Sequence, residues 1–159
     1  IVLMLDLLYT VSIPSEVTFT SDPVEFVTTI KEILNKEDQP VDDRIIIIAG
    51  LSKVFNDSNI EEQIKKDLSN ILKEADRFTT TSFIIIEEYQ KYRNLMVEEW
   101  YQDRVSSANG IWIGEGFENQ IAFQIDSVGD INMQEYSTDV GYVIRNGKFE
   151  VIKTISGDE

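Results

Sequence analysis

The sequence predicts an α/β domain with a mostly parallel sheet and flanking helices. Residues 1–5 and 45–48 are unbroken apolar runs, without the alternation of a strand that has one wet face, so both read as strands buried on two sides. Segments with helical spacing separate the strand-like runs as far as residue 113, the pattern of right-handed crossovers in a parallel sheet. An Asn-Gly dipeptide between two β-rich runs near the end adds an antiparallel hairpin at the sheet's edge.

The elements follow in order. Residues 1–5 form the first strand, closed by Asp6, and residues 16–20 a short second one. Asp22 then caps a helix, with Pro23 at its first position and Glu25 completing a capping-box spacing. Phe26, Val27, Ile30, Ile33 and Leu34 make its buried stripe. A polar connection with Pro40 covers residues 35–43. The four isoleucines of Arg44–Ala49 mark the most strongly buried strand, ended by Gly50 and followed by a short helical turn over 51–55. Ser58 and Glu61 repeat the capping-box spacing before a long helix whose inner face is Ile60, Ile64, Leu68, Ile71, Leu72 and Ala75. Residues 82–86 are a third buried strand, and residues 87–104 one or two helices with a break near Asn94. Residues 110–113 return to a strand of the same sheet. Residues 114–116 turn, and residues 120–126 alternate Ile121, Phe123 and Ile125 as a half-exposed strand. Residues 141–145 and 148–155 flank the Asn146-Gly147 turn.

Composition excludes several kinds of chemistry. The 159 residues suit one domain and carry a net charge of −15, with neither His nor Cys. Ser–His and Cys–His machinery, disulfides and His- or Cys-based metal sites are therefore ruled out. A nucleic-acid surface needs clustered Lys and Arg, and no basic run is present, so a DNA-translocating motor ranks low. No apolar run reaches the roughly 18–20 residues that span a bilayer. The opening apolar strand, without a start Met or polar lead-in, is read as the interior of a longer polypeptide.

Ligands of α/β sheets sit at the carboxyl ends of the strands. There the sequence offers Asp6, then Ala49-Gly50-Leu51-Ser52, then Glu87 and Glu88, then Gly114-Glu115-Gly116. No Gly-rich loop with Lys and Ser or Thr opens a helix, so no phosphate-binding loop lies in this chain. Ala49 and Gly50 stand where an acid following an apolar strand would hold magnesium, and neither side chain can do so. Glu87 is the best local candidate for a base or magnesium ligand, and Glu88 beside it would diverge. Asp6 reads most simply as a capping carboxylate. Gly114-Glu115-Gly116 lacks the third glycine of a dinucleotide fingerprint. Tyr89, Tyr92, Trp100 and Tyr101 could form a docking surface, Tyr92 and Trp100 facing one groove if their helix is continuous. Packing of these rings against the sheet is the plainer alternative.

Two segments carry a more specific resemblance. Gly110-Ile111-Trp112-Ile113-Gly114-Glu115-Gly116-Phe117-Glu118-Asn119-Gln120 and Gly141-Tyr142-Val143-Ile144-Arg145-Asn146-Gly147-Lys148 resemble the C-terminal end of the type VII secretion coupling proteins, the EssC (YukB) family. Those are membrane-anchored chains with tandem FtsK/SpoIIIE-like ATPase modules. Upstream, residues 1–6 resemble the strand after the Walker-A helix, and residues 21–26 the Asp-Pro-Glu helix start that follows it. Residues 45–50 stand in the place of the Walker-B strand.

The resemblance implies that residues 1–159 are one FtsK/SpoIIIE-like module with a RecA/AAA-type core, a fragment lacking its Walker-A portion. It implies a degenerate, non-catalytic module that recognises export substrates, on the cytoplasmic side of the bacterial membrane. Partners would be helical WXG- and LXG-type cargo proteins with their own partners, and neighbouring ATPase modules of the same polypeptide. Nucleic acid is not among them, and the membrane is reached only through upstream segments. No cofactor is expected in this chain, ATP and magnesium belonging to the full-length protein. The alternative is an active ATPase powering protein translocation, with its phosphate-binding loop upstream and Glu87 as its local acid.

Overall fold

The isoleucine run Arg44–Ala49 forms β3, an inner strand of a four-stranded sheet in the computed structural model. The structure describes residues 2–6, 17–34, 43–126 and 140–153, which fall into two compact units, Ile1–Arg104 and Val105–Glu159. In the first unit, β1 (Val2–Asp6) pairs in parallel with both β2 (Thr18–Thr20) and β3, and β3 pairs in parallel with β4 (Thr81–Ile86). The strand order is β2-β1-β3-β4. The loop expected over 35–43 lies, apart from Asp43, outside the described residues, as do the ends of the runs at 16 and 154–155.

Helix α1 (Pro23–Leu34) starts where the Asp-Pro signal places it. Asp22 Oδ1 accepts the Val24 N–H at 2.8 Å, satisfying one of the free donors of the first turn. Glu25 does not reach back to the Asp22 N–H. That group donates to Thr20 Oγ1 at 3.0 Å, and the Thr20 hydroxyl donates to Glu25, so the capping box is routed through the preceding strand. Phe26, Val27, Ile30 and Leu34 are buried, as the helical spacing requires, while Ile33, expected in the same stripe, is half-buried.

Helices α2 (Leu51–Asn56) and α3 (Glu62–Lys73) follow β3. The Ser58/Glu61 capping box does not form. Asp57 Oδ1 instead accepts from the Asn59 N–H at 2.8 Å and from Asn59 Nδ2 at 2.9 Å, a local turn that delays the helix to Glu62. Leu68, Ile71 and Leu72 of α3 are buried in the same unit, and Lys31 of α1 pairs with Asp67 of α3. That ammonium holds the Asp67 carboxyl below the usual carboxylate range. After β4, α4 (Tyr89–Leu95) and α5 (Glu99–Arg104) are separated at residues 96–98, close to the expected break.

Among the described side chains, β3 and β4 are buried more deeply on one face than on the other. Ile46 and Ile48 are 1% and 0% exposed. Strand register places Phe19, Ile45, Ile47, Ile84 and Ile86 on the opposite face, where Phe19 is 43%, Ile45 39%, Ile84 45% and Ile86 43% exposed. For Arg44–Ala49 the expectation of a strand covered on both sides is thus corrected, although Ala49 on the more open face is fully buried; the side chains of residues 2–6 lie outside the described residues. Four consecutive isoleucines reflect a demand for burial that the described helices meet on one side.

In the second unit, β5 (Gly110–Ile113), β6 (Val140–Arg145) and β7 (Lys148–Lys153) make a separate antiparallel sheet, order β5-β6-β7. Two expectations change here. Residues 110–113 do not extend the parallel sheet, and the hairpin is not added to its edge. The physical reason lies in β5, where Trp112 is buried while Ile111 and Ile113 are 60% and 67% exposed, the alternation of a strand with one core face. The Asn146-Gly147 turn has φ of 51° and 74°, both in the left-handed region required by a type I′ hairpin. Residues 120–126 are not a strand. Gln120 Oε1 accepts the Phe123 N–H at 2.7 Å and Gln120 Nε2 donates to the Phe123 carbonyl at 3.0 Å, so a side chain occupies the groups a ladder would use.

Candidate functional site

The carboxyl ends of β3 and β4 bring together the residues singled out from sequence. Ala49 closes β3 and is fully buried, and Gly50 turns the chain into α2 with φ of 75°. Glycine takes that left-handed conformation at no steric cost, which accounts for Gly50 independently of any lost acid. The Gly50 N–H donates to the Ile86 carbonyl at 2.9 Å, locking the turn to the end of β4.

Glu87 is engaged at this turn. Its Oε2 accepts the Ser52 N–H at 2.7 Å and its Oε1 accepts the Glu88 N–H at 3.0 Å. The carboxylate therefore serves as an N-terminal cap for α2, supplied from the neighbouring strand's end. Glu88 diverges, as expected, to pair with Lys91, whose ammonium holds the Glu88 carboxyl below the usual range. Replacing Glu87 by alanine removes the cap and should cost about 0.5–2 kcal/mol of stability, read by urea denaturation. The side chain of Asp6 lies outside the described residues.

Beside this turn lies a cavity of about 360 Å³, bounded by α2, α3 and the α4–α5 turn and lined by Ser52, Phe55, Asn56, Ser69, Asn94 and Glu98 among others. Its walls mix hydroxyl, carboxamide and charged groups with the Phe55 ring. Lys65, also in the wall, is neutralised by Glu62 at 2.8 Å. Sequence reading reached Ser52 through its place after β3. Asn56 and Ser69 carried no signal and Asn94 signalled only a helix break, because single polar residues on helices look alike until packing brings them to one opening.

The aromatic set is divided by the structure. Trp100 is 1% and Tyr101 7% exposed, so both are packing residues. Trp100 stacks on Phe55 with centroids 6.4 Å apart and meets Tyr101 edge-on at 5.8 Å. Burial raises the Tyr101 phenol above its ordinary range. Tyr89 and Tyr92 are half-buried, with Tyr92 edge-on to Tyr101 at 5.4 Å. The break between α4 and α5 removes the shared helical face proposed for Tyr92 and Trp100.

Gly114-Glu115-Gly116 forms a turn around Trp112, whose Nε1 donates to the carbonyls of Gly114 and Glu115 at 3.2 and 3.1 Å. Among the described residues, no group of three or more carboxylates is placed to hold a metal ion, and no helix is long and apolar enough to cross a membrane. No protein-family model, curated protein or solved structure matches the chain.

Proposed function

We propose that this chain is a degenerate, non-catalytic FtsK/SpoIIIE-like module of a type VII secretion coupling protein, and that it recognises helical export substrates. The observation that carries the reading is the end of β3. There β3, an inner strand of a parallel sheet that we read as the Walker-B strand, ends in Ala49 and Gly50, and Glu87, just past the end of neighbouring β4, is occupied in capping α2. Neither Ala49 nor Gly50 can ligate magnesium or orient water through its side chain.

The sheet's open face supports a RecA/AAA-type core. The connections β2→β3 and β3→β4 advance in one direction across the sheet, with α1 and α3 on one side. Crossovers are right-handed. A strand added beyond β4 and leading back to β1 would therefore carry its helix over Phe19, Ile45, Ile84 and Ile86. A phosphate-binding strand and helix preceding residue 1 would fill that place in a full-length protein.

Cargo of this reading is a helical hairpin with a neutral or basic surface, since the chain carries a net charge of −15. Charge then governs partner choice and association rate more than affinity. The competing reading is an active module in which Glu87 is catalytic. Phosphate release by a polypeptide that includes the upstream segment separates the two. Glu87→Gln should leave turnover within about two-fold, with folding checked by circular dichroism. A fall of roughly 10²–10⁴-fold, the range for loss of a general base, would favour the active module.

A further inference from the structure

We draw no further inference here: the strongest candidate, the polar cavity between α2, α3 and the α4–α5 turn, belongs to the site already described, and the orphaned Ser52 hydroxyl in its wall is sealed from solvent, so nothing there points to a particular ligand.

Discussion

Replacing Trp100 by alanine is expected to destabilise the first unit by about 3–5 kcal/mol, the range for deleting a buried aromatic ring. The ring is 1% exposed, stacks on Phe55 and meets Tyr101, so its removal leaves a void that short helices on either side cannot close by moving a rotamer. Trp100 Nε1 has no hydrogen-bond partner in its buried position. That orphaned donor places the loss toward the lower end of the range, because alanine also relieves it. Urea denaturation followed by far-ultraviolet circular dichroism reads the effect. A change within about 0.5 kcal/mol, the size typical of surface substitutions, would return Trp100 to the status of an exposed docking anchor.

A comparable loss, again about 3–5 kcal/mol, is expected for Phe117→Ala in the second unit. Phe117 is 2% exposed and lies flat on Tyr142 with centroids 3.9 Å apart. Phe149 meets it edge-on at 5.1 Å, and Trp112 at 6.2 Å. One side chain thus touches the core face of all three strands of a small antiparallel sheet. A sheet of this size buries a modest core, so one ring is a large fraction of what holds it. The chain has two tryptophans, Trp100 in the first unit and Trp112 in the second. In a Trp100→Phe background the Trp112 emission isolates the second unit, and Phe117→Ala should move its red shift to lower urea. An unchanged midpoint would show that Phe117 does not hold this cluster together.

What could be read from sequence follows from how local each signal is. The Asp22-Pro23 start of α1, the stripe Phe26, Val27, Ile30, Ile33 and Leu34, and the Asn146-Gly147 turn are set by chemistry within a few residues, and all three appear as expected except that Ile33 is only half-buried. The parallel pairing of Ile45–Ile48 with its neighbours also follows, because an unalternating isoleucine run has few other places to go. The assignment of β5 to the wrong sheet has a different origin. Gly110-Ile111-Trp112-Ile113 is apolar throughout, and only packing reveals that Trp112 alone turns inward. The Ser58 cap and the strand over 120–126 were lost to side-chain bonds, Asp57 to Asn59 and Gln120 to Phe123, that compete with regular structure at short range.

The site was legible in part for the same reason. Ala49, Gly50 and Glu87 could be placed together because strand ends in a parallel sheet converge on one edge. The role of Glu87 could not, because its partner Ser52 is 35 residues away in sequence. Nor could sequence divide the aromatic set. Trp100, Tyr101, Tyr89 and Tyr92 are all aromatic on paper, and only packing buries Trp100 and Tyr101 while leaving Tyr89 and Tyr92 half-buried.

The most direct test of substrate recognition is a titration of the folded chain with a purified WXG-type helical hairpin, with association followed by stopped-flow fluorescence at increasing salt. Saturable binding is predicted, with an association rate that falls as ionic strength rises from roughly 0.05 to 0.5 M and screens the acidic surface. No saturable binding up to roughly 1 mM, where even weak specific contacts are occupied, would contradict recognition of helical cargo by this module.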